Sequence, residues 1–327
     1  MTWASIVIVA IIISILATAY YTGAFANRRS KLVIATTTSL FDTGLLDEIE
    51  DRFEAKYAID LYFISAGTGL AIEHAKRGDA DMLLVHDPLA EFAFLADGYG
   101  LCRKIIAYNF FVIVGPKDDS VGIKGLPPLE ALTKIVDAGR KGEAKWVSRG
   151  DNSGTHSKEK SLWVVAGFDS NVLREEGWYM EAGTGMGGTL EIANNYLAYT
   201  LADLGTYLAY YDYGLPKAGK ISLAVLVDQG QELLNVYSAI AVNPSIHEGL
   251  NFDDAITFIK FLISDEGQKA IGEYGKEEYN QSLFFPAVEL LKENTNQTLA
   301  SWIKDYAYID GEECPLEYRY GHSELYS

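Results

Sequence analysis

Apolar and polar positions alternate regularly along the first third of the chain. Short apolar runs at 32–35, 59–64 and 82–85 are separated by two stretches, 45–57 and 71–76, whose apolar residues recur at helical spacing. Short apolar runs are typical of buried strands, and the spacing of the intervening stretches is typical of amphipathic helices. The pattern therefore predicts an α/β fold with a parallel sheet.

Two longer strands are predicted further along the chain. They occupy 105–114 and 237–242, and a proline follows each of them closely, at Pro116 and Pro244. Between them the pattern predicts a helix near 128–139, a strand at 145–148, a helix from Thr155, a strand near Trp178, a helix from Thr189 and a strand at 221–227. We interpret the long strands as the two crossings of a hinge, near Phe110–Val114 and Ser238–Val242, between two α/β lobes.

This interpretation divides the chain into domains. Lobe one is predicted at 31–113 and 238–290, closed by a helix at 253–273, and lobe two at 114–237. Residues 291–327 form an acidic, tyrosine-rich C-terminal extension. We expect this extension to be a cover over lobe one and assign it no function.

The N-terminal segment is distinct from both lobes. Residues 3–21 carry no charge, and Ala24-Phe25-Ala26 matches the small-x-small pattern of a signal-peptidase site. The apolar run is also close to the ~20 residues with which a helix spans a bilayer. Residues 1–30 are therefore predicted to be an apolar helix that is either a cleaved signal peptide or an uncleaved membrane anchor, attached through 3–25. The segment lacks cysteine, which excludes a lipoprotein anchor.

The orientation signals at this segment conflict. Arg28 and Arg29 follow the apolar run, which by the positive-inside rule favours a cytoplasmic main domain. The predicted organisation of the remaining chain outweighs that signal. We expect export to the periplasm or the cell surface.

The net charge and the cysteine content exclude several classes of binding partner and of structural site. The chain has 45 acidic and 27 basic residues and a net charge of −18, so its surface should repel nucleic acid and anionic lipid. Any bound anion must then be held by local donors. Cys102 and Cys314 have neither metal-ligand spacing nor a disulfide pattern, and Cys102 is expected to be a small buried residue.

Two loops of the predicted first lobe place hydroxyl residues where a strand ends and a helix begins. They are Thr-Thr-Thr-Ser at 36–39 and Ser-Ala-Gly-Thr-Gly at 65–69. Hydroxyls and the free N–H groups of a helix start attract anions, and ligands of open α/β sheets bind at the carboxyl ends of strands. A single such cluster is usually a cap and a turn. Two of them at neighbouring strand ends predict an anion site.

Two further glycine-rich loops lie in the predicted second lobe. Residues 148–156, Ser-Arg-Gly-Asp-Asn-Ser-Gly-Thr-His, add an arginine, whose planar charged fork suits an oxyanion. Residues 183–188 contain G-x-G-x-x-G, which in a Rossmann fold binds a dinucleotide. We reject that interpretation because 190–200 is predicted as one continuous helix and no β-branched strand is predicted to end at Asp203. A backbone loop close to a small ligand fits better.

Other polar residues indicate neither catalysis nor metal binding. The five histidines lack metal-ligand spacing and are interpreted as surface or satisfied core residues. No Ser/His/Asp order or G-x-S-x-G elbow is present. We therefore expect a binding protein that is not an enzyme and needs no cofactor.

The loops together resemble a known family. The segments 36–46, 78–86, 148–156 and 185–187 closely resemble the Tup-type, tungstate-specific periplasmic binding proteins, over about 31–286. The resemblance implies a type II periplasmic-binding-protein fold, two lobes that close over a tetrahedral dianion, and delivery to an ABC transporter permease. It also implies direct ligand contacts from Thr37, Thr38, Ser39, Arg149 and Thr155. The N-terminal segment and the residues after Pro286 lie outside the family pattern.

The full set of expected ligand-binding residues combines the four loops. It comprises Thr37, Thr38, Ser39, Thr68, Arg149, Ser153, Gly154, Thr155, Met186 and Gly187. Tungstate is the leading ligand. Phosphate, with Asp151 accepting its proton, and molybdate or sulfate are alternatives within the same fold. A membrane-anchored nucleotide-dependent enzyme using 183–188 is a remote one.

Overall fold

The computed structural model describes residues 29–211 and 221–326. The predicted apolar helix at 1–30 lies almost entirely outside these residues. Within the two described ranges, no helix is long and apolar enough to cross a bilayer. The architecture below is therefore that of the two lobes and the C-terminal extension.

Ten strands and fourteen α-helices are found in the described ranges. The strands are β1 Ser30–Thr37, β2 Ile59–Ala66, β3 Met82–Val85, β4 Gly100–Gly115, β5 Trp146–Ser148, β6 Tyr179–Glu181, β7 Thr200–Asp203, β8 Ala224–Val227, β9 Leu234–Val242 and β10 Phe285–Pro286. The helices are α1 Thr38–Asp42, α2 Leu45–Glu54, α3 Thr68–Arg77, α4 Pro88–Ala96, α5 Pro128–Arg140, α6 Gly154–Val165, α7 Ser170–Leu173, α8 Met186–Tyr196, α9 Leu204–Tyr210, α10 Phe252–Ile263, α11 Asp265–Glu273, α12 Lys276–Tyr279, α13 Val288–Glu293 and α14 Gln297–Ala307. Short 3₁₀ turns lie at Gln231–Leu233, Leu316–Tyr318 and Ser323–Tyr326.

Lobe one is built on a mixed sheet in the order β10-β4-β9-β3-β1-β2. β1 runs parallel to β2 and β3, whereas β9 is antiparallel to both of its neighbours. Helices α2 and α10 bury one face of this sheet, and α3 and α4 bury the other. The alternating pattern of the sequence is thus realised as an α/β layer structure, as predicted. The carboxyl ends of β1, β2 and β3 meet at one edge.

Lobe two is a smaller α/β unit on the far half of β4. β7 and β8 pair with β4, β5 pairs in parallel with β6, and Trp146 of β5 bridges to Tyr199 next to β7. A core of buried aromatic and aliphatic residues lies between this sheet and helices α5 and α6. One core cluster thus lies wholly within 111–233, whereas α8 and α9 pack into the larger cluster that also contains α2 and α10.

One prediction in this lobe is wrong. The stretch 190–200 is not a continuous helix, because α8 ends at Tyr196, Leu197 adopts a left-handed conformation with φ +50°, and β7 begins at Thr200. A strand does end at Asp203, contrary to one reason for rejecting a dinucleotide site. The Asp203 carboxylate instead caps α9, accepting hydrogen bonds from the Thr206 amide at 2.8 Å and the Thr206 hydroxyl at 2.8 Å.

Strands β4 and β9 connect the two lobes. β4 pairs with β9 as far as the Phe110–Leu234 pair, and from Phe111 onwards it pairs with β7. The change of partner coincides with the predicted first crossing. The predicted second crossing, near Ser238–Val242, and the predicted division at 237/238 both fall inside β9, and the hinge itself stays a prediction.

The C-terminal extension packs on one face of these crossing strands. Successive side chains of a strand point to opposite faces of the sheet. On one face, Phe110, Leu234 and Val236 pack with α13 and α14. Phe111 and Tyr237 lie on the opposite face, where they contact His86. The extension is also attached to lobe one by buried polar contacts, including a Lys104–Glu313 ion pair at 2.8 Å and the Ile105 amide to Glu313 at 2.6 Å. Cys102, fully buried as expected, donates to a backbone carbonyl of this segment.

The extension reaches lobe two as well. Lys158 of α6 is buried, donates to the Leu234 carbonyl at 2.9 Å, and lies 4.2 Å from the ring centroid of Tyr306 in α14. This contact joins α6, the helix that follows the 148–156 loop, to the C-terminal extension. The extension is thus more than a cover over lobe one.

Candidate functional site

The first loop places its four hydroxyls in different roles. Thr36 donates to the Leu84 carbonyl of β3 at 3.0 Å, and the Thr37 hydroxyl accepts from the Leu40 amide as the N-cap of α1. Thr38 and Ser39 begin the helix, with the Ser39 hydroxyl 3.4 Å from that of Thr37. Thr36 is therefore structural, while the hydroxyls of 37–39 cluster at the edge of the sheet.

The second loop lies beside the first. α3 begins at Thr68, and its N-cap is Gly67, which supplies no side-chain hydrogen bond to the helix. Thr68 is buried, and among the described residues its hydroxyl has no hydrogen-bond partner. An unpartnered buried hydroxyl is uncommon, because the loss of hydration costs roughly 1–3 kcal/mol. A bound ligand would satisfy it.

The third loop brings the arginine across from lobe two. Arg149 is 2% exposed; its Nε donates to Asp151 Oδ2 at 2.8 Å, and its Nη2 donates to the Thr38 hydroxyl at 2.9 Å. The other Asp151 oxygen accepts from the Ser153 amide at 3.1 Å. The guanidinium thus bridges the two lobes. Gly150 turns the chain with φ +66°, where a Cβ would lie 2.8 Å from Glu181 Cβ.

Helix α6 begins directly after this loop. Ser153 is its N-cap and accepts from the His156 amide at 3.3 Å. The Thr155 hydroxyl is buried and, like that of Thr68, has no partner in the described part of the chain. The helix is held on the lobe-two sheet by buried Glu159, whose Oε1 accepts from Trp146, Trp163 and Tyr179 at 2.7–3.0 Å.

Loops two and three are in direct contact. A Cβ built on Gly154 would lie 3.0 Å from the Thr68 hydroxyl and 2.8 Å from Cε1 of His86. A Cβ on Gly67 would lie 3.7 Å from Ser153 Cα. The structure therefore places Arg149 against Thr38 and Gly154 against Thr68, and the ligand contacts of these residues stay a prediction.

The fourth loop contributes differently. Met186 is the first residue of α8 and its side chain is buried in the hydrophobic core, so only its backbone can face a ligand. Gly187 packs against the Tyr210 ring so closely that a Cβ would clash with the hydroxyl. Ligand contacts from Met186 and Gly187 remain a prediction.

Three buried or half-buried groups near the arginine are not among the residues predicted for the site. Burial lowers the pKa of His86 to about 4, and the charges of Arg149 and Lys158 add to this effect. Burial raises the pKa of Asp203 and of Asp42, while the Arg149 charge opposes both shifts. His86 directly follows β3, so the rule that ligands lie at strand ends was a signal for it.

Comparison with known proteins identifies the class. Residues 22–266 match the PBP superfamily domain, so the chain belongs to the periplasmic-binding-protein superfamily. It is 40% identical over 261 residues to the tungstate-binding protein TupA of Peptoclostridium acidaminophilum, covering 79% of this chain and 86% of that protein.

Solved structures agree with this assignment. The tungstate-binding protein TupA from Desulfovibrio alaskensis G20 is 40% identical, with a TM-score of 0.67 over 79% of this chain and 98% of that one. The tungstate ABC transporter structure from Geobacter sulfurreducens is 41% identical, with a TM-score of 0.66 over 76% and 100%. The chain belongs to the Tup-type family of tungstate-binding proteins within the type II superfamily.

Proposed function

We propose that this chain is an exported solute-binding protein that captures tungstate between its two lobes and delivers it to an ABC transporter permease. The observation that carries the proposal is the Arg149 bridge to Thr38, beside the Thr68 and Thr155 hydroxyls, which have no hydrogen-bond partner within 29–211 and 221–326. A permanent positive charge and several free donors, contributed by both lobes, are what a tetrahedral dianion requires. The protein acts by binding and release, without catalysis or a cofactor.

The donor set favours an oxyanion that carries no proton. A site selective for hydrogen phosphate needs an acceptor for the phosphate proton, and Asp151 is the candidate within the third loop. Its two oxygens each accept one hydrogen bond, from Arg149 and from the Ser153 amide, so half of the roughly four acceptor sites of the carboxylate are already used. Tungstate is fully ionised at neutral pH and needs donors only. We therefore propose that phosphate binds weakly.

The expected affinity follows from the number of donors. Charge-assisted hydrogen bonds contribute roughly 1.5–3 kcal/mol each, so about seven of them supply roughly 10–20 kcal/mol. Nanomolar binding requires about 12 kcal/mol after the costs of ordering and closure. We propose that tungstate binds with a dissociation constant in the nanomolar range. Molybdate has the same shape and charge, so its affinity should be closer to that of tungstate than the affinity of sulfate is.

Binding is proposed to close the lobes about the crossing strands. Lobe one, at 31–113 and 238–290, and lobe two, at 114–237, would rotate where β4 changes partner and β9 begins. The contact of Arg149 with Thr38 corresponds to the closed arrangement. Small-angle scattering tests this: tungstate should reduce the radius of gyration, and an unchanged radius at saturation contradicts it.

The site of action is proposed from the family and the N-terminal sequence. Residues 1–30 would direct export, either as a cleaved signal peptide or as an anchor through 3–25 that keeps the receptor at the membrane near its permease. Mass spectrometry of the protein recovered from cells distinguishes the two. Loss of the segment from the mature chain indicates cleavage.

Parallel calorimetric titrations test the proposed function. Tungstate, molybdate, sulfate and phosphate are titrated into the same preparation at neutral pH. Tungstate should bind most tightly, with sulfate and phosphate at least 100-fold weaker, a difference of about 3 kcal/mol. Phosphate as the tightest ligand, with binding that strengthens as it becomes protonated, would favour a phosphate receptor.

A further inference from the structure

His86 lies at the point where the proposed site and the crossing strands meet. It directly follows β3 and is 3% exposed. Its Nε2 atom is 3.3 Å from the hydroxyl of Ser39, at the start of α1. One edge of the ring therefore faces a hydroxyl of the first loop.

The same edge of the ring faces lobe two. A Cβ on Gly154 would lie 2.8 Å from Cε1 and 3.2 Å from Nε2 of His86. Real Cβ atoms essentially never approach another heavy atom this closely, so a side chain at residue 154 would force the His86 ring, which is buried, to shift. The imidazole is thus the surface of lobe one on which the first residue of α6 rests.

The remaining contacts of the ring are with the crossing strands. The ring centroid is 4.9 Å from that of Tyr237 in β9 and 6.2 Å from that of Phe111 in β4. These aromatic residues come from the two segments about which the lobes are proposed to rotate. The position of the imidazole is consequently tied to the relative position of the lobes.

We propose that His86 is a positioning residue for the oxyanion: it orients the Ser39 hydroxyl and forms the contact against which Gly154 stops when the lobes close. The proposal rests on the proposed function. His86 acts through Ser39 and Gly154 and not as a metal ligand. Its loss should weaken oxyanion binding and loosen the closed state together.

A double-mutant cycle tests the contact with Gly154. Gly154→Ala should weaken tungstate binding by about 100-fold, because the added methyl group meets the ring before the lobes close. His86→Ala alone should weaken it by about tenfold, and His86→Ala/Gly154→Ala should bind about tenfold more tightly than the product of the two losses predicts. Gly177→Ala is the matched control, because a Cβ there has open space around it.

A conservative variant tests the contact with Ser39. His86→Gln retains a polar nitrogen at a similar distance from the backbone, so it should recover most of the affinity lost in His86→Ala. Melting curves without ligand check that each variant is folded. If His86→Ala does not fold, scattering of Gly154→Ala still tests the proposal, because this variant should stay extended at saturating tungstate.

The results of these experiments distinguish failure of the proposed function from failure of the proposed role of His86. If the wild type does not bind any of the four oxyanions, the proposed function fails. If the wild type binds tungstate but the losses from His86→Ala and Gly154→Ala are additive, or Gly154→Ala closes and binds like the wild type, the role of His86 is refuted and the function stands.

Discussion

Replacement of Arg149 by alanine is the most informative single perturbation of the proposed site. Arg149 is 2% exposed, and its guanidinium makes two short contacts, with Asp151 in its own lobe and with Thr38 in the other. It is also the one basic residue within the four glycine and hydroxyl loops. The substitution therefore removes the fixed charge that opposes the dianion and the bridge between the lobes.

The size of the effect follows from these contacts. Removal of one partner of a buried, hydrogen-bonded charge pair costs roughly 2–5 kcal/mol of binding free energy. This corresponds to a loss of affinity of roughly 30- to 4,000-fold. Arg149→Lys should fall between alanine and wild type, because one ammonium cannot reproduce a planar fork directed at two partners.

The assay is calorimetric titration with tungstate, supported by circular dichroism to show that each variant is folded. Arg140→Ala is the matched control: Arg140 is an exposed arginine of lobe two that pairs with Glu176 at 2.8 Å. This control should bind as the wild type does. If Arg149→Ala also binds within threefold of the wild type, the anion lies elsewhere and the proposed site is refuted.

Four buried side chains outside the Arg149 contact are expected to affect binding or stability when replaced. Thr68→Val and Thr155→Val should each weaken tungstate binding by roughly 10- to 30-fold without lowering the melting temperature, because these hydroxyls have no partner in the described chain. A lower melting temperature that accompanies the loss of affinity would contradict this prediction. Burial lowers the pKa of Lys158 from 10.5 to about 8, so the unfolded state holds more protons between these values. Stability should rise with pH there by about 1 kcal/mol per unit, and Lys158→Met should abolish the rise in denaturant titrations. Glu313→Ala should destabilise the fold by about 3 kcal/mol in the same titrations, because it leaves Lys104 buried without a partner; a change below about 0.5 kcal/mol contradicts this.

The parts of the fold that follow local rules could be predicted from the sequence. The apolar runs that became β1, β2 and β3 are flanked by amphipathic stretches, so the α/β layers and the shared strand edge followed directly. The three loops at 36–39, 65–69 and 148–156 could be recognised in the sequence because each has more hydroxyl and glycine residues at a strand end than a helix cap requires.

The errors concern features that local rules do not determine. The end of α8 was missed because Leu197 takes a left-handed conformation that usually marks glycine or asparagine, and the polar stretch before it continues a helical pattern. Tertiary pairing of β7 with β4 overrides that local preference.

The functional contacts that were missed are long-range. Arg149 and Thr38 are 111 residues apart, and their hydrogen bond depends on how the lobes meet. The position of His86 after β3 indicates the ligand edge of the sheet, but its contacts with Ser39 and Gly154 come from distant segments and cannot be inferred from local sequence. The contact of the C-terminal extension with Lys158 depends on which face of β4 and β9 it covers, which a strand pattern alone does not specify.

Anomalous diffraction from crystals of the tungstate complex, measured at a tungsten absorption edge, tests the central claim most directly. Tungsten scatters anomalously, so a difference map locates the ion without assumptions about its ligands. We predict one strong peak between the lobes, with the tungstate oxygens within about 3 Å of Arg149, Thr38 and Thr155. A peak outside this cleft, or none between the lobes in a complex that titration shows to be saturated, would contradict it.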